Sequence, residues 1–294
     1  MIKLFCFGLG FSALALARRV KAQGWSVAGT CRTEGKAGRL TGDGIEAHVF
    51  DGSAPMANAI AALDGVTHVL ISIPPTDAGD PVIRHHAGDL RIVAGSVDWV
   101  GYLSTTGVYG NTDGAEVTEA SPRNPSSARS VHRAKAEDDW LKFGGECGLP
   151  VHVFRLAGIY GSGRSTIDQV QAGQARRIEK PGHLFSRIHV EDIAGVLDAS
   201  IRCPDPGAAY NVCDDEAAAQ SDVVAFTCGL LGIDPPPLVA FDDAKTEMSP
   251  MALSFWNDNR IVRNDRMKNE LGVSLTYPTY REGLRAIFTA TENQ

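Results

Sequence analysis

Through the first half of the chain, short apolar runs of strand length alternate with longer segments whose apolar positions recur every three to four residues. The runs at residues 2–7, 25–30, 47–50, 68–73, 99–103 and 151–155 read as buried strands. Between them, residues 11–23, 55–63, 82–97 and 132–145 read as helices. In the first of these, Ala13, Leu16, Ala17 and Val20 fall at i, i+3, i+4 and i+7, which makes one buried face. Strands separated by helix-sized crossovers pair in parallel and bury both sheet faces, so the pattern predicts an α/β fold with a doubly wound parallel sheet.

The rhythm changes after Ile159. A loop at 161–165 follows, and Pro204, Pro206, Pro235, Pro236, Pro237 and Pro250 divide the remainder into shorter pieces. One more strand, helix and strand at 188–212 looks like a return to the first domain. The expected organisation is a nucleotide-binding domain over 1–165 and 187–213, with a smaller, discontinuous C-terminal substrate lobe from 166–186 and 214–294.

Composition narrows the class. The chain has 294 residues, 44% hydrophobic and 21% charged, which is an ordinary globular mixture. A formal charge of −7 argues against nucleic acid as a partner. Lys3, the apolar stretch that follows it and Ala15-Leu16-Ala17 imitate a secretory signal, but Gly8 and Gly10 interrupt the stretch and the helical pattern runs on past it. No segment is apolar enough to span a membrane. Cys6, Cys31, Cys147, Cys203, Cys213 and Cys228 are scattered without metal spacing, which suits free thiols, mostly buried, in the cytoplasm. His85, His86 and Asp89 have the composition of a metal site but point in different directions on a helix; they read as surface residues.

Gly8-Leu9-Gly10-Phe11-Ser12-Ala13 is a GxGxxA turn directly between a strand and an amphipathic helix. Such a turn brings a dinucleotide's pyrophosphate against free N–H groups at the helix start, here Gly10, Phe11 and Ser12. At the end of the second strand, where an acidic residue would bind the ribose of NAD, stand Arg32 and Thr33. A guanidinium there favours the 2′-phosphate of NADP, while Glu34 keeps NAD open. Asp51 is placed either to meet adenine or to cap its own turn with Gly52 and Ser53. Ser72 and Ile73 end the fourth strand beside the expected cofactor.

With these residues in place, the chain resembles the extended short-chain dehydrogenase/reductase superfamily, the NAD-dependent epimerase/dehydratase-like group. The resemblance rests on residues 102–110 (YLSTTGVYG), 155–161 (RLAGIYG) and 187–194 (RIHVEDIA), and on Tyr210-Asn211-Val212. It implies a Rossmann-type fold, a nicotinamide cofactor and chemistry carried by a Ser or Thr, a Tyr and a Lys. Thr105 takes the hydroxyl position. Lys135 takes the lysine position, where it would also bind the nicotinamide ribose, and the tyrosine four residues earlier is replaced by Val131. His132 and Tyr109 are the candidate substitutes as proton donor. Arg164, Arg187 and Arg263 lie on segments that line the family's substrate cleft, which favours a small anionic or sugar-nucleotide-like substrate. The run 256–260 (WNDNR) reads as fold closure before a helix capped by Asn264. The helices at 82–97 and 132–145 correspond to those that pair in the family's dimers, so a homodimer is compatible with the sequence. The missing tyrosine leaves three readings: an NADP-dependent oxidoreductase, epimerase or dehydratase; a catalytically inactive NADP-binding redox sensor or regulatory module; and a structural protein with an empty glycine turn.

Overall fold

Seven strands and the helices that connect them carry the first part of the fold, and a computed structural model describes residues 2–292. In chain order these are β1 (Lys3–Phe7), α1 (Phe11–Ala22), β2 (Ser26–Cys31), α2 (Glu34–Gly42), β3 (Glu46–Val49), α3 (Ala59–Ala62), β4 (His68–Ile71), α4 (Pro81–Val93) and β5 (Trp99–Thr105). There follow β6 (Glu116–Val117), α5 (Ala128–Cys147), β7 (Val151–Leu156), β8 (Gly158–Tyr160), α6 (Thr166–Gln171), β9 (Arg177–Glu179), β10 (Arg187–His189), α7 (Val190–Arg202) and β11 (Ala209–Val212). The remainder is α8 (Gln220–Leu231), β12 (Leu238–Ala240), α9 (Phe241–Ala244), α10 (Pro250–Trp256), β13 (Ile261–Val262), α11 (Asp265–Leu271) and α12 (Tyr280–Glu292).

The large sheet has the order β11-β7-β5-β4-β1-β2-β3, with every pair parallel. This is a Rossmann-like α/β fold. Its strand order reverses between β1 and β4, the place where doubly wound sheets bind ligands at the carboxyl ends of their strands. One core lies under α1 and α7, which pack on each other, and includes Leu16, Val20, Phe154, Ile193 and Leu197. The other, on Phe5, Val69, Tyr102 and Trp140, covers the opposite sheet face. Three further parallel pairs, β8 with β10, β9 with β12 and β6 with β13, tie the C-terminal half to the loops that follow β5 and β7.

Local departures from the sequence pattern have simple causes. The helix expected over 55–63 shrinks to α3 because Asn58 sits in the left-handed region at φ 53°. The helix α2 was not foreseen, because Gly35, Gly38 and Gly42 weaken its signal; Thr33 caps it, its side chain accepting from Lys36 N–H. Helix α5 begins at Ala128, four residues before the expected start, on a Ser127 cap. His86 is not a surface residue: it is fully buried against Phe7 and Phe50, its Nδ1 2.9 Å from Asp89. Cys203 is exposed rather than buried. Among the described residues, no group of three or more His, Cys, Asp or Glu is placed to hold a metal, and no helix is long and apolar enough to cross a membrane.

Candidate functional site

The turn after β1 is shaped by a backbone that side chains would spoil. Gly8 has φ 93°, and a Cβ there would lie 2.8 Å from Ile73 Cγ1, so the ends of β1 and β4 can approach this closely only at glycine. Gly8 N–H donates to Thr30 Oγ1 at 2.9 Å, and Ser72 N–H donates to Phe7 O at 2.9 Å, which fixes the turn to its neighbours. A Cβ on Gly10 would meet nothing closer than Gly8 O at 4.0 Å, so that side of the loop is open. Ala13 is fully buried against the sheet. Helix α1 has neither a capping side chain nor an acidic residue in its first turn, and its intrahelical bonds start with Leu14 N–H on Gly10 O. Gly10 N–H, expected to be free, donates to Gly8 O at 2.7 Å, so the groups that suit an anion at this end are the N–H groups of Phe11, Ser12 and Ala13.

At the edge of this turn, Arg32 is exposed and makes no ion pair among the described residues. Lys36, which the sequence reading passed over, donates from Nζ to Leu9 O at 2.7 Å and adds a second cation beside the glycine turn. Asp51 caps its own turn: Oδ1 accepts from Ser53 N–H at 2.9 Å and Ser53 Oγ–H at 2.6 Å, bonds that hold its carboxyl below the usual range.

A cavity of about 790 Å³ opens at the carboxyl ends of β5 and β7. Thr105, Ser127, Arg129 and Ser130 line one part of it; Arg164, Arg187, Arg260 and Tyr280 also face it. Thr105 ends β5, and its Oγ1 accepts from Gly107 N–H at 3.1 Å, which leaves its own proton to donate. The guanidinium of Arg164 lies 5.7 Å over the ring of Phe11, so this arginine joins the cavity to the first residue of α1. Arg129 stacks 4.7 Å over Phe255. Two carboxylates on the wall are already engaged. Asp168 forms a capping box with Ser165, and Asp258 accepts from Ser126 Oγ–H and pairs with Arg260 at 3.2 Å. Arg129, Arg164 and Arg187 form no ion pair among the described residues, so the cavity carries uncompensated positive charge.

The geometry corrects the expected register on α5. Ser130, Glu137, Trp140 and Gly144 are buried, and with Arg133 they form one stripe facing the sheet. Arg133 donates to Leu103 O at 2.6 Å and to Tyr102 Oη at 3.5 Å. Lys135 instead points outward; its side chain is 67% exposed and pairs with Asp139 at 2.6 Å. Val131 is exposed at 47%, and neither it nor His132 lines the cavity. One turn apart on this helix, Arg129 lines the cavity with Thr105 and Arg133 reaches the end of β5 at Leu103 O. Counting back from Trp140 by threes and fours would have found them; starting the helix at His132 concealed them.

Two further expectations change. Tyr109 is buried at 1% and faces the core, donating to Asn211 Oδ1 at 2.6 Å and accepting from Arg155 at 2.8 Å. Burial raises its pKa, and it does not line the cavity. Below it, Arg155 pairs at 2.9 Å with Glu137, which also accepts from Ser104 and Arg123. Arg263 lies outside the cavity, exposed and paired with Glu116 at 3.1 Å and Asp265 at 3.0 Å. The 256–260 run, read as fold closure, contributes Trp256, Asp258 and Arg260 to the cavity wall.

A glycine turn at the strand-order reversal, next to a cavity at the ends of β5 and β7, defines a Rossmann-like α/β protein. The model of the NAD dependent epimerase/dehydratase family matches residues 8–213, and the chain belongs to this family. It is 27% identical over 288 residues to Protein YeeZ of Escherichia coli (strain K12), covering 95% of this chain and 97% of that one. A conserved protein of unknown function from Silicibacter pomeroyi DSS superposes with a TM-score of 0.89 at 48% identity, covering 99% of both chains. The dTDP-glucose 4,6-dehydratase of Bacillus anthracis, in complex with NAD, shares the fold at a TM-score of 0.77 and 17% identity, covering 100% of this chain and 97% of that one.

Proposed function

We propose that the protein is an NADP-dependent oxidoreductase, epimerase or dehydratase acting on a small anionic or sugar-nucleotide-like substrate. One observation carries the reading: three arginines without ion pairs share a cavity with Thr105, and one of them stacks on the residue that opens α1. Neighbours of the same fold support it, including a dehydratase bound to NAD and MoeE5 bound to UDP-glucose and NAD. The free cysteines support residence in the reducing cytoplasm.

The residues present fit a dinucleotide. Gly8, Gly10 and the first turn of α1 would hold the pyrophosphate, Ser72 and Ile73 would border the ribose, and Arg32 with Lys36 would meet a 2′-phosphate. When bound, the nicotinamide supplies a hydride acceptor or donor. Arg129 and Arg133 stand where the family pattern places tyrosine and lysine. Neither can give up its proton near neutral pH, so Arg129 acts by stabilising negative charge on a substrate oxygen. The Thr105 and Ser130 hydroxyls on this wall would donate a hydrogen bond to that oxygen and relay a proton taken up from water. Arg133 positions the end of β5 through Leu103 O.

The lack of a tyrosine on α5 favours one other reading, an NADP-binding redox sensor without turnover. Titration with NADPH and NADH, followed by nicotinamide fluorescence, tests binding, and single-turnover assays separate the two readings. A phosphate about 4 Å from an exposed guanidinium gains ~1 kcal/mol or more per unit charge. Arg32→Ala is therefore expected to weaken NADPH about tenfold and leave NADH within twofold. Equal losses for both cofactors would remove the NADP assignment.

A further inference from the structure

Helix α10 borders the cavity from the C-terminal part of the chain, where Ala252, Ser254, Phe255 and Trp256 line the wall. Ser249 caps it, accepting from Ala252 N–H at 3.2 Å, and Pro250 opens its first turn. Of its residues only Trp256, the last, is buried. That ring packs on His183 at 5.4 Å, Phe185 at 5.0 Å and Phe241 at 5.2 Å, and Lys180 Nζ donates to Trp256 O. Two residues on, Asp258 accepts from Ser126 Oγ–H at 2.6 Å, which ties the end of the helix to the start of α5. Phe255, just before this anchor, is 53% exposed and makes no ring–ring contact among the described residues. What it meets is Arg129, whose guanidinium lies 4.7 Å from the ring centroid.

Arg129 is the second residue of α5, and its side chain makes no hydrogen bond or ion pair among the described residues. Nothing but the Phe255 ring therefore restricts its long, flexible stem. A ring stacked on a guanidinium covers the flat face and leaves the in-plane N–H edge free to donate. Both partners are exposed and both line the cavity, so their contact bridges α5 and α10 at the solvent edge of the site. A leucine at 255 would serve the helix equally well but would offer no π face to a cation.

We propose that Phe255 is a positioning residue for Arg129: its ring holds the guanidinium with the N–H edge free for a ligand, and the same contact latches α10 along the edge of the cavity. This deepens, and rests on, the reading of Arg129 as the group that stabilises negative charge on a substrate oxygen. Trp256 and Asp258 keep the end of α10 in place whether or not the latch is made. The latch is the weaker attachment, because it lies in water while Trp256 is buried among other rings. It is therefore the contact that parts when a ligand enters past α10, and its return sets Arg129 against the ligand without any unfolding of the surrounding structure.

The test is hydrogen exchange of the full chain, read by mass spectrometry on peptides covering α10, together with phenylglyoxal labelling of Arg129. Neither cofactor nor substrate is present, so a failure here leaves the proposed function standing, and a failure of NADPH binding leaves the latch standing. A cation–π contact at an exposed site shifts an opening equilibrium about two- to fivefold, so Phe255→Leu and Arg129→Met should each speed exchange in α10 by about that factor. The double variant should be no faster than either single one, because both changes remove the same contact. Phe255→Trp should exchange like the native chain, since indole also offers a π face. Phenylglyoxal, which adds to accessible guanidinium groups, should modify Arg129 about two- to fivefold faster in Phe255→Leu and at the native rate in Phe255→Trp. Arg164, which stacks on Phe11 instead, serves as the unchanged control. Leucine keeps most of the apolar bulk, so a role in packing alone would leave Phe255→Leu native-like. That result, a Phe255→Trp chain that behaves like Phe255→Leu, or effects that multiply in the double variant would each overturn the proposal. Should Arg129→Met fail to fold, the comparison of Phe255→Leu with Phe255→Trp decides alone.

Discussion

Replacing Arg133 and Lys135 separately by methionine tests which basic residue of α5 serves the site. Methionine keeps an unbranched chain and removes the charge, so the pair of variants isolates what each cation does. Arg133 makes a charge-assisted bond to Leu103 O at 2.6 Å and lies 5.7 Å over the Tyr102 ring. A hydrogen bond to a charged group contributes about 1.5–3 kcal/mol and a cation–π contact about 0.5–1 kcal/mol, so Arg133→Met should lose about 2–4 kcal/mol. Lys135 has only an exposed i,i+4 pair with Asp139, which contributes about 0.3–0.5 kcal/mol. At roughly 2 °C per kcal/mol for a chain of this size, the thermal midpoint should fall about 4–8 °C in Arg133→Met and by about 1 °C or less in Lys135→Met. Titration with NADPH should show weaker binding only in the first. If Lys135→Met loses as much stability or cofactor affinity as Arg133→Met, the helix face is wrongly assigned, and the register read from sequence is restored.

Three other substitutions probe the turn, the buried ion pair and a titrating cap. Gly8→Ala imposes a side chain at φ 93° and a contact of 2.8 Å with Ile73, so about 1–3 kcal/mol of stability and most NADPH affinity should be lost; native-like binding would show that the turn tolerates a Cβ. Glu137→Ala strands Arg155, itself 6% exposed, and should cost about 3–5 kcal/mol in urea unfolding; a loss below ~1 kcal/mol would mean water replaces the carboxylate. His189 caps α7, accepting from Glu191 N–H at 3.2 Å, and burial lowers its pKa from 6.5 to about 4. Its contribution is therefore present above pH 6.5 and lost as the pH falls through 4. Between pH 7 and 4.5 the native chain should lose about 2 kcal/mol more than His189→Asn, which keeps a capping side chain but does not titrate; parallel losses would contradict a neutral buried imidazole.

The sheet was legible because its strands are buried on both faces and read as continuous apolar runs, such as 4–7 and 69–71, which no other element explains. The glycine turn was legible because Gly8 and Ala13 must be small for local reasons, the one for its positive φ against Ile73 and the other for the packing of α1 on the sheet. The candidate catalytic face was not. Its assignment depends on the azimuth of α5, and there a shift of two residues turns the helix by about 200°. Arg133 and Lys135 are chemically similar, so motif spacing alone offered nothing to choose between them. Only the buried stripe through Ser130, Glu137 and Trp140 does so. Arg260 and Tyr280 were invisible for another reason: they reach the cavity from segments more than 100 residues beyond Thr105, and no local pattern records that approach.

The corrected register changes which chemistry the proposed function permits. A tyrosine held by a lysine moves a proton, and its rate follows the ionisation of the phenol. An arginine in its place has no such ionisation, so it can only lower the energy of negative charge that develops on the substrate, and a hydroxyl or water must carry the proton. The same substitution adds to the positive charge already set by Arg164 and Arg187, and each uncompensated guanidinium raises the cost of an empty cavity and the gain from an anionic ligand. On the proposed function, charge stabilisation at Arg129 and an anionic substrate beside Arg164 and Arg187 both follow from guanidinium groups left without ion pairs in one cavity. A neutral substrate would leave these groups unused, so on this reasoning the cavity should hold an anion in every productive complex.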